Sequence, residues 1–347
     1  MMSRDNIKVI APNFKKRWSG VTSTIFRLLP LQAKQIEIVT VGPSLPVSLP
    51  KISFMTLLGL STNKPRIWHA RRNLEMLTGL ILKNIFRKNL KLVFTSDAQR
   101  HHTKYTKKLI SRMDAVIAGS QKAADYLQVP HIIIHHGIDT ETFKPISDKT
   151  SLRSELNLPE AKLIGCFGRI RPQKGVDIFI EVMIKACAED PLAVGIICGQ
   201  TTAEHKDFET NLRVRVADAG FSDRIIFLGT QPSDRLPLLF AALDIYLAPQ
   251  RNEGFGLTPL EAMASGVPVI ATTAGAFEEM VLNGETGYIV KIEDIGDMSD
   301  RLIELLKNER RRKALAKASI ERVAQKFDIK GEAAALVRLY KDLLSKA

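Results

Sequence analysis

Short apolar runs, each followed by a stretch with helical spacing, recur from one end of the chain to the other. Residues 7–11, 36–41, 92–95, 115–118 and 132–134 read as strands in the first half, and 163–167, 194–198, 225–228, 244–247 and 267–271 in the second. Helical periodicity fills 22–31, 176–187, 208–219 and 260–265, and residues 298–326 and 332–344 read as closing helices. Runs this short and this apolar suit strands covered on both faces, the pattern of parallel sheets with helices on either side. The predicted class is α/β: two doubly wound, Rossmann-like domains facing a cleft, with C-terminal helices. A length of 347 residues suits two domains. Apolar periodicity lapses near 144–151, which sets the expected domains at 1–148 and 149–330, with 331–347 as a helix packing back on the first. Ligands of such sheets bind beyond the carboxyl ends of the strands.

The excess charge is confined to one half. The chain carries +13 overall, but residues 1–150 hold 24 Lys+Arg against 9 Asp+Glu, a net of +15, while the remainder holds 26 against 28. Six of the seven histidines also lie in the first half. A basic half beside a near-neutral half points to an anionic surface or substrate. Within it, residues 71–89 read as a basic helix on which Leu74, Leu77, Ile81 and Ile85 share one face. Arg71, Arg72, Lys83, Arg87 and Lys88 surround that face, and residues 100–112 add five more cations. An anionic membrane is the expected partner of such a helix, with ordinary core packing of its apolar face as the alternative. A nucleic-acid partner is disfavoured: the sequence has no helix-turn-helix, RNP or zinc-finger pattern, and aromatics do not interleave with the basic clusters. No apolar run approaches the ~20 residues of a membrane-spanning helix. The N-terminus carries no signal-peptide pattern, and the three cysteines show no disulfide spacing, so a cytoplasmic location is expected.

Residues 253–261 read Glu-Gly-Phe-Gly-Leu-Thr-Pro-Leu-Glu. Gly254, Phe255 and Gly256 let backbone N–H groups approach a ligand closely, and Thr258-Pro259 has the form of a helix start, with Thr258 as N-cap. Such an end suits an anion. Glu253 and Glu261 suit hydroxyls attached to it, although Glu261 also fits a capping box with Thr258. Together they describe a nucleotide-sugar. A second constellation, Gly168-Arg169 through Lys174-Gly175, follows the 163–167 strand directly, where Arg169 and Lys174 suit phosphate oxygens. The plain alternative is a solvated basic loop. No Asp-x-Asp and no Cys/His cluster of metal spacing occurs, so neither a metal nor a cofactor is expected. Arg169 and Lys174 would then serve a diphosphate leaving group in place of a cation. A sugar-phosphate-binding regulator without activity is a further possibility, against which the presence of all four charged residues argues.

These motifs resemble glycosyltransferase family 4, with the GT-B fold. The carriers are Gly168-Arg169…Lys174-Gly175, Glu253-Gly-Phe-Gly…Glu261-Ala-Met-Ala-Ser-Gly266-Val-Pro268, and the junction His136-Gly137-Ile138-Asp139…Phe143-Lys144-Pro145. Around Trp68-His69 and Phe94–His102 the chain is most similar to lipopolysaccharide core mannosyltransferases of Gram-negative bacteria. The resemblance implies a retaining hexosyltransferase that uses GDP-mannose on a lipid-linked acceptor at the inner membrane face, with a UDP- or ADP-sugar donor and a different glycan or lipid acceptor as the alternative. It implies that Arg169 and Lys174 hold the donor diphosphate, that Glu253 lies beside the transferred sugar and that Glu261 bonds the ribose. Backbone N–H groups of Phe255, Gly256 and Leu257 would face the phosphates, and the segments around Gly199 and Thr230 the base. Ser19-Gly20 matches the acceptor-side glycine loop, which is often Gly-Gly in the family. Many members place a histidine at the strand end matching about 95–97, and this chain has none there. His69 and His101 are the candidate substitutes, each equally a structural histidine.

Overall fold

The computed structural model describes residues 6–15, 20–43, 45–46 and 48–346. The chain divides into two units, Met1–Gly137 with Ile329–Ala347, and Ile138–Asp328. Each is built on a six-stranded parallel sheet. In the first unit β1 (Val9–Pro12), β2 (Ile38–Val41), β3 (Arg66–Ala70), β4 (Leu90–Ser96), β5 (Ala115–Ala118) and β6 (Ile132–Ile133) run in the order β2-β1-β3-β4-β5-β6. In the second, β7 (Lys162–Phe167), β8 (Ala193–Cys198), β9 (Ile225–Gly229), β10 (Ile245–Ala248), β11 (Val269–Thr272) and β12 (Gly287–Val290) run β12-β11-β10-β7-β8-β9. Each sheet grows outward from an interior strand, then the chain returns to that strand's other side. The reversal falls between β1 and β3 in one unit and between β7 and β10 in the other.

The period of two along a strand sorts side chains to opposite faces. Ile10, Trp68, Leu92 and Val116 enter one core cluster of the first unit, while their neighbours Val9, Ile67, Val93 and Ile117 enter a second. The second unit repeats this, with Leu163, Ile196 and Tyr246 on one face and Ile164, Ile197 and Leu247 on the other. Every residue of β8 is buried, which is why its sequence reads as an unbroken apolar run.

Two strands lie outside the sequence expectation. Strand β12 is one. The other, β3, is interior to its sheet but carries Arg66 and His69, which interrupt its apolar run. Both are buried and hydrogen-bonded. Arg66 donates from Nε to the Ile7 carbonyl at 3.1 Å and from Nη1 to the Ser61 and Lys64 carbonyls at 2.7 and 3.1 Å. His69 bonds Thr95 Oγ1 through Nε2 at 2.7 Å and the Tyr340 hydroxyl through Nδ1 at 2.6 Å. Burial, with the charges of Arg71 and His136, holds its pKa well below the ordinary imidazole range. His69 is therefore a neutral internal fastener between the sheet and the C-terminal helix Ile329–Ser345, the structural one of the two readings open for it, and its burial takes it off the acceptor side.

The boundary between units also differs from the expected 148/149. The Ile138 N–H donates to the Phe327 carbonyl at 2.7 Å, and Phe143 stacks edge-on to Phe240, so residues 138–148 belong to the second unit. The chain re-enters the first unit at Ile329 rather than 331. The single helix expected over 298–326 is two, Ile295–Lys307 and Glu309–Lys326. They part at Asn308, whose side chain accepts the Arg311 N–H. Among the described residues no helix is long and apolar enough to cross a membrane.

Candidate functional site

The reversal in the second unit sets the loops after β7 and β10 side by side, the place where doubly wound sheets take ligands. After β7 the chain passes Gly168 and Arg169, makes a short 3₁₀ turn at Pro172–Lys174, and enters the helix Val176–Glu189. After β10 it runs through 249–257 into the helix Thr258–Ala264. Three ties join the loops. Lys174 Nζ donates to the Glu253 carboxylate. The Arg251 N–H donates to the Gln173 carbonyl at 3.0 Å. The Arg251 guanidinium donates to the Pro172 carbonyl at 2.7 Å, in a fork to both Asp177 oxygens at 2.8 Å, and to Glu293 at 2.8 Å. The hydrogen bond to Asp177 is the chief cause that raises the Arg251 pKa, and burial opposes it. The Asp177 carboxyl is held below its usual range: burial acts against this, and the bond and charge of Arg251 outweigh it. A bidentate pair of this kind fixes geometry as well as charge.

The sequence singled out Lys174 and Glu253 separately, and the structure brings them into contact. Arg169 leaves β7 half-buried on the same strand end. Gly199, at the end of the neighbouring β8, lies against it: a Cβ there would stand 1.7 Å from the Gly168 carbonyl oxygen, at a φ of +153°. Thr230 is exposed just beyond β9, and the Gly199 N–H donates to the Gly229 carbonyl at 2.9 Å. We expect Gly199→Ala to destabilise the second unit by about 2 kcal/mol or more, because backbone must move to admit the methyl and the conformation is strained besides. Urea denaturation followed by circular dichroism measures it, and an unchanged midpoint would show the loop yields freely.

The 253–261 stretch departs from the expected helix start by one residue. The N-cap is Leu257, with no side-chain cap, and Thr258 is the first helical residue. No capping box forms, since the Glu261 N–H donates to the Leu257 carbonyl at 2.9 Å. Glu261 is buried at the first turn of this helix. Gly256 has φ +87°, and a Cβ would meet the Phe277 ring at 2.4 Å and Glu253 Cγ at 2.8 Å. The Gly254 N–H is taken by the Glu253 carboxylate at 3.2 Å, and Phe255 is buried with its carbonyl accepting from Ala276. The N–H groups of Gly256 and Leu257 have no protein acceptor among the described residues.

In the first unit, Gly20 begins the helix Gly20–Ala33 and Ser19 lies outside the described residues. His101 is exposed, its ring edge-on to Tyr126 at 5.2 Å. Two polar groups went unread in the sequence. At the β1/β3 reversal Arg72 Nη1 donates to Asn13 Oδ1 and to Glu75 Oε1, both at 2.8 Å. Beyond β6, His136 sits between two carboxylates: Nε2 bonds Asp97 Oδ1 at 2.9 Å and Nδ1 bonds Glu332 Oε1 at 2.8 Å, while Glu332 Oε2 accepts the Gly137 N–H at 2.7 Å. Burial alone would lower the His136 pKa, but the two carboxylates outweigh it and raise it well above the ordinary range. Spacing could not signal this cluster, whose members stand 39 and 196 residues from His136. Among the described residues no group of three His, Cys, Asp or Glu is placed to hold a metal ion.

The family model described as "Glycosyl transferases group 1" matches residues 148–322. The chain is 47% identical over 352 residues to the lipopolysaccharide core biosynthesis mannosyltransferase LpsB of Rhizobium meliloti, covering 99% of this chain and 100% of that protein. It is 44% identical over 344 residues to the corresponding LpcC of Rhizobium leguminosarum bv. viciae, covering 98% and 97%. The crystal structure of Anabaena Alr3699/HepE in complex with UDP superposes with a TM-score of 0.85 at 20% identity, covering 97% of this chain and all of that one. That likeness shows the fold, two parallel sheets of the GT-B type.

Proposed function

We propose, from the premise that the chain belongs to the group 1 glycosyltransferases, that it moves mannose from GDP-mannose onto a lipopolysaccharide-core acceptor and retains anomeric configuration. The observation that carries the reading is the convergence of Arg169, Lys174 and Glu253 on one strand reversal, in a chain 44–47% identical to two mannosyltransferases of that pathway. Arg169 and Lys174 take the donor diphosphate. Glu253 holds hydroxyls of the transferred sugar, and Glu261 those of the ribose. The open N–H groups of Gly256 and Leu257 complete the phosphate contacts, and Gly199 and Thr230, just beyond the ends of β8 and β9, flank the base.

Breaking the sugar–phosphate bond builds positive charge on the anomeric carbon and negative charge on the leaving diphosphate. Cations held in advance where that negative charge grows stabilise the transition state more than the ground state. Lys174 is tethered by Glu253, and Arg251 locks both loops, so little reorganisation accompanies reaction. A leaving phosphate oxygen takes the proton of the incoming hydroxyl on the same face of the sugar, which retains configuration without a protein base. The reaction so written needs no metal. The acceptor is anionic and lipid-linked, and its membrane is the inner face of the cytoplasmic membrane, which suits the basic first half.

Purified protein incubated with GDP-mannose, UDP- and ADP-sugars, with lipopolysaccharide core as acceptor and with or without EDTA, tests this. Nucleoside diphosphate release is expected with GDP-mannose and unchanged by EDTA, with an α-linked product by NMR. Release from another donor alone would reassign the sugar. Loss with EDTA would overturn the metal-free mechanism, and an inverted product the same-face step.

A further inference from the structure

The basic helix of the first unit turns most of its apolar stripe outward. Its core contacts are made by Met76, Gly79, Leu80 and Leu82, whereas Leu74 is 58% exposed, Ile81 37% and Ile85 71%. The helix Lys104–Ile110 packs alongside. Between the two lies an apolar groove of about 310 Å³, whose walls include Leu77, Ile81, Ile85, Tyr105 and Leu109 together with Lys108 and Arg112. Tyr105 is 52% exposed. Leu77 packs against the core, whereas the other three residues of the stripe, Leu74, Ile81 and Ile85, are left exposed. Contiguous exposed apolar surface on a folded unit marks an interaction site.

The cations sort in an informative way. Arg72 and Lys83 are paired with Glu75 and Asp114, and Lys88 is spent on the carbonyls of Leu58 and Leu60. Lys108 and Arg112, which border the groove, pair with no carboxylate among the described residues. The free positive charge therefore stands beside the exposed aliphatics. That combination repels a second copy of the same face. It also lacks the stacked aromatic rings that single-stranded nucleic acid would use.

We propose that this face docks on an anionic phospholipid bilayer. Leu74, Ile81, Ile85 and Tyr105 enter the interfacial layer, the groove receives acyl-chain methylenes, and Lys108 and Arg112 take lipid phosphates. Apolar side chains with flanking cations bind such surfaces jointly, and tyrosine favours the headgroup level. The inference locates on named residues the membrane partner that net charge alone could only assign to half a chain. It stands apart from the transfer reaction, because membrane binding is measured with no sugar present.

Flotation of the full chain with equimolar phosphatidylcholine–phosphatidylglycerol vesicles, against phosphatidylcholine alone, is the test. Binding is expected only to the anionic vesicles and is expected to fall with salt. Lys108→Glu with Arg112→Glu should weaken it at least roughly thirtyfold, from about a fivefold contribution per cation near the surface. Ile85→Asp should weaken it about tenfold, the scale of one aliphatic side chain left in water. These residues are exposed, so an unchanged thermal melt by circular dichroism will show that the variants fold. Wild-type binding by Ile85→Asp, equal binding to both vesicle types, or a dimer in light scattering that Ile85→Asp dissolves, would each overturn the proposal.

Discussion

Lys174→Ala is expected to lower kcat by about a hundredfold to a thousandfold with little change in the donor KM, the loss typical of one preorganised group facing developing charge. Lys174 and Glu253 are each about one-fifth exposed and bonded to one another across the β7/β10 reversal. Removing the lysine leaves a carboxylate where the diphosphate has to sit, so the defect combines lost attraction with new repulsion. The two parts separate in a double-mutant cycle. Glu253→Gln in the Lys174→Ala background should recover part of kcat, although Glu253→Gln alone lowers it through lost sugar contacts. Steady-state kinetics with GDP-mannose reads both. A raised KM at unchanged kcat would mean Lys174 serves ground-state binding only.

The second large effect falls on stability. His136→Ala is expected to cost the first unit about 3 kcal/mol, the lower end for breaking a buried ion pair from one side. It strands Glu332, which is buried, and Asp97, which is partly exposed. The pH dependence distinguishes charge from shape. The folded pKa of His136 is raised, so its contribution is fully present below about 6.5, the unfolded value, and is lost as pH climbs through the folded pKa. Stability should therefore decline as pH rises above about 6.5 and through the raised folded pKa, and His136→Gln should flatten that decline. Other groups act elsewhere. His69, lowered by burial, and Asp97, lowered against burial by His136 and Arg71, weaken the fold on the acid side. The buried thiols of Cys187 and Cys198, pushed up to about 11, and of Cys166, to about 12, act on the alkaline side. Urea titrations from neutral to mildly alkaline pH measure the difference, and parallel curves for wild type and His136→Gln would remove the charge argument.

What the sequence disclosed follows from how far each signal reaches. Parallel strands buried on both faces leave a local mark, so β5 was readable to the residue and β7, β8 and β9 to within one. Strand β3 was not, because Arg66 and His69 satisfy themselves with carbonyls, Thr95 and Tyr340 that no local pattern reveals. Glu253 and Lys174 announced their chemistry by motif, but their contact spans 79 residues and needed the fold. Arg251 was invisible for the same reason: its partners Asp177 and Glu293 lie 74 and 42 residues away. Thr258 misled because the helix opens one residue earlier, on Leu257, so its hydroxyl does not stand at the cap position.

The interruption of the first unit between Gly137 and Ile329 has a bearing on how the chain is made. The cluster on one face of its sheet, with Val9, Ile67, Val93 and Ile117, is closed by Ile329, Ala333, Leu336, Val337 and Tyr340 from the last helix. At ordinary rates of synthesis those residues leave the ribosome on the order of ten seconds after the strands they cover. The second unit, uninterrupted in sequence, can finish in that interval. The half of the protein that is translated first is thus the half that matures last, and its waiting apolar face is the nascent chain's point of greatest exposure to chaperones and to misassembly.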